Sequence, residues 1–116
     1  MFTAFNERND FSYAFGKIRN AISAPGENNL YAATELGLGI LLRKYEPFRQ
    51  ELDAAGELGN WEYDLDTYNH CIAVLQRYFT GNPSGLTERD ARIYSHYLQT
   101  EHKRFVKLAE ELAAGR

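Results

Sequence analysis

By residue type and position, the best candidates for chemistry are Glu101 and His102, a carboxylate and an imidazole adjacent in the chain. Glu101 falls between Leu98 and Phe105 on the apolar seam of an amphipathic stretch, so both groups approach a protein interior. Such groups serve as metal ligands where Glu and Glu-x-x-His motifs from several helices converge to replace the waters of an ion. The chain contains no Glu-x-x-His, and His70 and His96 project from polar faces by periodicity. A satisfied polar pair, or a seam that reaches solvent at Glu101, is therefore expected over a ligand set. A metal-dependent bundle enzyme using Glu101 and His102 is kept as an alternative, and no cofactor is expected.

The other reactive residue types give no stronger signal. Cys71 is the only cysteine and sits beside Ile72 and Val74, where a thiol behaves as a small apolar side chain. It leaves no internal disulfide and no multi-cysteine zinc site. The serines Ser12, Ser23, Ser84 and Ser95 lie in no nucleophile elbow and have no histidine and acid close in sequence. Gly37 and Gly39 lack the third glycine of a dinucleotide loop and stand in a helical pattern, where small residues serve close approach of a neighbour.

The elements that must position these residues are helical. Pro25-Gly26, Gly56 to Gly59 and Gly81-Asn82-Pro83 cut the 116 residues into four pieces. The first carries Phe11, Phe15, Ile18 and Ile22 on one face, with Asn9 or Asp10 as cap. The second, from about Asn29, aligns Leu30, Ala33, Gly37, Leu41, Tyr45, Phe48, Leu52 and Ala55, widened by Leu36 and Ile40. Pro47 lacks the N–H that a helix interior needs, so this piece is expected to kink or split there. The third, entered through Asp64 or Asp66, has the seam Leu65, Tyr68, Ile72, Leu75 and Phe79. The fourth opens on a capping-box pattern at Thr87 and carries Ala91, Tyr94, Leu98, Phe105, Leu108 and Leu112. No stretch alternates with period two. Apolar stripes joined by short connections bury themselves against one another, which predicts an all-α, irregular four-helix bundle forming a single domain over residues 1–116.

Charge is distributed unevenly. Between residues 46 and 66 seven acids, Glu46, Glu51, Asp53, Glu57, Glu62, Asp64 and Asp66, face Arg49 alone. Inside this stretch Asn60-Trp61-Glu62-Tyr63-Asp64, read as a connection after Gly59, holds the only tryptophan. Aromatic rings give contact area at little rotamer cost, and carboxylates around them steer a basic partner. Glu57, Trp61, Glu62, Tyr63, Asp64 and Asp66 are thus the candidate partner-binding residues. The competing reading has Trp61 and Tyr63 folded back over the core while the acids cap the third helix. On the fourth helix, Arg89, Arg92, Lys103 and Lys107, with His96, form a basic stripe that reads first as a solvated face and second as a contact for DNA.

The composition, 44% hydrophobic and 25% charged, is globular, and a formal charge of −3 disfavours broad nucleic-acid binding. The longest apolar run, Leu36 to Leu42, is too short to span a membrane, and MFTAFNERND does not read as a leader, so a cytoplasmic protein is expected. In size, helicity, acidity and absence of a catalytic motif the chain resembles the small helical anti-CRISPR inhibitors made by phages. That resemblance implies a non-catalytic inhibitor that occludes a partner protein, a Cas nuclease or a surveillance-complex subunit. A helical DNA-binding regulator is the alternative, and the exposed tyrosines leave monomer and homodimer open.

Overall fold

The computed structural model describes residues 8–115, with side chains from Tyr13 onward. The helices are α1 (Arg8–Ser23), α2 (Glu27–Ala32), a π-helical segment (Ala33–Leu38), α3 (Gly39–Ala54), α4 (Leu58–Phe79) and α5 (Glu88–Ala113). The rod from Glu27 to Ala54 is continuous, so the molecule is an irregular four-helix bundle, with no strand among the described residues. The side chains of Phe11 and of the caps expected at Asn9 or Asp10 lie outside the described ones, and both caps fall inside α1.

The helices are closed by local chemistry. At the end of α3, Glu57 N–H donates to the Leu52 carbonyl and Gly56 N–H to that of Asp53, with Gly56 at φ +73°. This is the arrangement in which glycine enters the left-handed region without a Cβ clash and satisfies the last carbonyls. Gly81, at φ +102°, repeats it after α4, where Asn82 N–H donates to the Arg77 carbonyl. The Asn82 side chain then holds both the N–H and the carbonyl of Leu86, at 2.9 and 2.8 Å. α5 opens on the expected capping box: Asp90 N–H donates to Thr87 Oγ1 and Thr87 N–H to Asp90 Oδ2.

The irregularity of the long rod is not where proline suggested. α3 runs through Pro47 without a split. Pro47 and Arg43, the residue whose carbonyl loses its helical donor, are both exposed, so water can satisfy that carbonyl. The departure from α geometry lies upstream, at Ala33–Leu38, where Gly39 N–H reaches back five residues to the Thr34 carbonyl. Within it α1 approaches closely, since a Cβ at Gly37 would stand 2.8 Å from Ile18 Cγ1 and 3.1 Å from the Ala14 carbonyl oxygen of α1. The wider turn also shifts the apolar phase: Leu38 is buried, while Leu36, expected on the seam, faces solvent.

One core joins all the helices. Phe15, Ile18 and Ile22 of α1, Leu41, Phe48 and Leu52 of α3, and the full expected seam of α4 are buried with Ala91, Leu98, Phe105 and Leu108 of α5. The cross-helix pairs Asp64–Arg104, Tyr68–His102 and His70–Tyr94 run in opposite order, so α4 and α5 are antiparallel. Phe15–His102 and Ser23–Arg92 set α1 antiparallel to α5 in the same way. α5 therefore has two flanks, one against α4 and one against α1.

Candidate partner-binding surface

The acidic aromatic segment is helix rather than connection. α4 begins at Leu58, so Gly59 and Asn60 lie in its first turn and Asp64 and Asp66 are inside it, not at its cap. Extending the seam back from Leu65 by four residues reaches Trp61. The indole is half-buried and packs on the core. It sits beneath the Arg104 guanidinium, whose central carbon is 6.0 Å from the ring centroid. Asp64 turns toward the same place: Arg104 Nη1 donates to Asp64 Oδ1 at 2.9 Å and to Glu101 Oε1 at 3.0 Å.

Arg104 is thus a cross-strut between α4 and α5, neutralising two carboxylates that burial has brought together. Burial raises the Glu101 carboxyl above its ordinary value, Arg104 opposes that, and the neighbouring Asp64 adds to it. Glu101 Oε2 is buried with no hydrogen-bond partner among the described residues. The sequence flagged Trp61, Asp64 and Glu101 separately and missed Arg104, because its role depends on the antiparallel register of two helices far apart in the chain.

The other acids and Tyr63 point away. Helical spacing from Trp61 puts Glu62, Tyr63 and Asp66 on the outer side of α4, and all three are exposed, Tyr63 at 83%. Among the described residues neither Glu62 nor Asp66 forms an ion pair. Glu57 precedes the helix and accepts from Asn60 Nδ2 at 3.2 Å. The two readings of the segment therefore divide it: Trp61 and Asp64 face inward, while Glu62, Tyr63 and Asp66 form an outer face carried on a fixed helix.

The basic stripe of α5 is exposed at Arg89, Arg92, Lys103 and Lys107. Arg92 spans to Ser23 of α1 and to Glu88 one turn back. Lys107 lies instead with Trp61, Arg104, Leu108 and Glu111 around a shallow groove of about 260 Å³.

Glu101 and His102 do not converge. Glu101 faces Asp64, whereas His102 is buried against Tyr68 and the edge of Phe15, with Tyr68 Oη and His102 Nδ1 sharing a hydrogen bond of 3.3 Å. Burial lowers the imidazole to about 3, keeping it neutral, and pushes the Tyr68 phenol up. Among the described residues no three His, Cys, Asp or Glu side chains are grouped to hold a metal ion. Cys71 is buried, and burial, then Glu101, raises its thiol above the ordinary range. Among the described residues no helix is long and apolar enough to cross a membrane. Against this geometry, no protein-family model, curated protein or solved structure matches the chain.

Proposed function

We propose that the protein works by contact, occupying a basic surface of a partner macromolecule with the outer face of the first turns of α4. The observation that supports this is Tyr63, a large ring 83% exposed, set between the exposed carboxylates of Glu62 and Asp66. A helix seated on the core through Trp61 and Leu65 presents that ring with little ordering left to lose on binding. Its acids favour a surface of opposite sign and speed the encounter. Surfaces that bind nucleic acid have that sign. An acidic helix face on such a surface excludes the nucleic acid, and this is inhibition by occlusion. The resemblance to anti-CRISPR proteins makes a Cas nuclease or a surveillance-complex subunit the first partner to try.

The test uses a variant confined to the outer face, Glu62→Lys with Tyr63→Ala and Asp66→Lys. These side chains are exposed, so its circular dichroism and melting should match the wild type. Immobilised wild-type protein and variant are compared for what each retains from a bacterial lysate, by quantitative mass spectrometry. A species retained by the wild type and released by salt should drop by at least about tenfold on the variant, as for loss of a contact hot spot. Equal retention moves the contact to another face.

A further inference from the structure

On its other flank α5 forms a second feature, a cleft of about 250 Å³ against α1, lined by Arg19 and Ile22 of α1 and by Arg92, Ser95, His96 and Gln99 of α5. Among the described residues no carboxylate lines it. Two guanidiniums, an amide, a hydroxyl and an imidazole line it together with Ile22, a donor set suited to a group with several acceptor oxygens and negative charge.

Two details separate this cleft from an ordinary solvated face. Arg92 is held by one end: Nη2 donates to Ser23 Oγ at 3.0 Å and to Glu88 Oε1 at 2.9 Å, and among the described residues its other nitrogens make no hydrogen bond. The guanidinium is thereby oriented before any ligand arrives, with its remaining donors uncommitted. Ser95 is the second detail. It is only 5% exposed, lines the cleft, and its hydroxyl makes no hydrogen bond among the described residues. Thr34 and Thr67 within helices, and Thr80 just after α4, all donate to a carbonyl in the preceding turn. The Ser95 hydroxyl is not sealed from solvent, so it is open to a ligand that enters the cleft.

We propose that the α1/α5 cleft binds a single phosphate group, with Arg19 and Arg92 as its charged donors and Ser95 as the donor at its floor. The size is below the roughly 300–1,000 Å³ of pockets for larger organic ligands. Among the described residues no Phe, Tyr or Trp lines the cleft, so a nucleobase would find no stacking platform there of the kind single-strand binders use. The chain carries a net charge of −3, so saturable anion binding would report this cleft and not a general attraction.

The test is a nuclear magnetic resonance titration at constant ionic strength with three probes: inorganic phosphate, uridine 5′-monophosphate and a single-stranded oligothymidylate. Phosphate should produce saturable shifts at Ser95, His96 and the Arg19 and Arg92 side chains. Affinity should fall by about tenfold or more in Arg19→Gln/Arg92→Gln, and measurably in Ser95→Ala, each checked for unchanged melting. Tighter binding of the nucleotide with the same shifts assigns the phosphate to an ester and supports the site. Absence of saturation with both small probes, binding of the oligonucleotide alone, or affinities unchanged in the double variant overturns the proposal.

Discussion

The two flanks of α5 hold similar side chains put to opposite uses. Against α4, the half-exposed Arg104 meets acceptors and a ring: Asp64 and Glu101 each take a hydrogen bond from the same nitrogen, and Trp61 lies beneath it. Against α1, Arg92 and Arg19 meet a cleft with no carboxylate among its described lining residues, and the Ser95 hydroxyl there makes no hydrogen bond among the described residues. A guanidinium held between two carboxylates of the fold belongs to the structure. One that has a single carboxylate partner among the described residues, Glu88, and borders a cleft is set up for something outside it. Residue type does not separate the two cases; the register of the neighbouring helix does.

That contrast can be pressed hardest at the residue between the flanks. His102 faces inward between α1 and α4, and its imidazole stays neutral in the fold down to about 3 because of burial. The unfolded chain takes up that proton near pH 6.5. As pH falls from there toward 3, protons bind the unfolded state first, so stability is lost over that window, on the order of 5 kcal/mol in total if His102 alone is responsible. Urea unfolding across this range should show the loss in the wild type and a much flatter profile in His102→Gln. An equally steep profile in that variant would place the acid sensitivity elsewhere.

Next in size is removal of the strut. Arg104→Ala leaves two half-buried carboxylates facing each other with no cation, and should cost about 1–3 kcal/mol in urea unfolding at neutral pH. The sign of its pH dependence is opposite to that of His102. Glu101, already raised by burial and Asp64, rises further without Arg104, so the folded state holds a proton that the unfolded state has released. The deficit should therefore shrink as pH is lowered toward the ordinary carboxylate range, and Glu101→Gln in the same chain should recover part of it.

Smallest is the matching change on the other flank. The Arg92–Glu88 pair is about half exposed on both sides, so Arg92→Ala should shift stability by no more than about 0.5 kcal/mol while weakening phosphate binding. A large stability loss there would erase the distinction between the flanks.

The architecture was legible where periodicity is strict. The seams of α4 and α5, the capping box at Thr87 and the turn glycines follow from spacing and from local backbone chemistry. Two features were not. Gly59 reads as punctuation and hid the first turn of α4, so Trp61 was placed on a connection although it stands four residues before Leu65 on the same seam. The π segment, where α1 comes close to Gly37, leaves no periodic trace in the sequence. For the surface, the sequence marked Glu62, Tyr63 and Asp66 but not which aromatic would point outward. Arg19, Ser95 and Gln99 carried no signal, because only the pairing of α1 with α5 brings them to Arg92.

The contrast between the flanks can be read in one sample by following the arginine side-chain N–H signals through a phosphate titration. The account predicts saturable movement of the Arg19 and Arg92 signals while that of Arg104, held by Asp64 and Glu101, stays in place. Movement of Arg104 with the same midpoint, or stationary Arg19 and Arg92 signals, would contradict it.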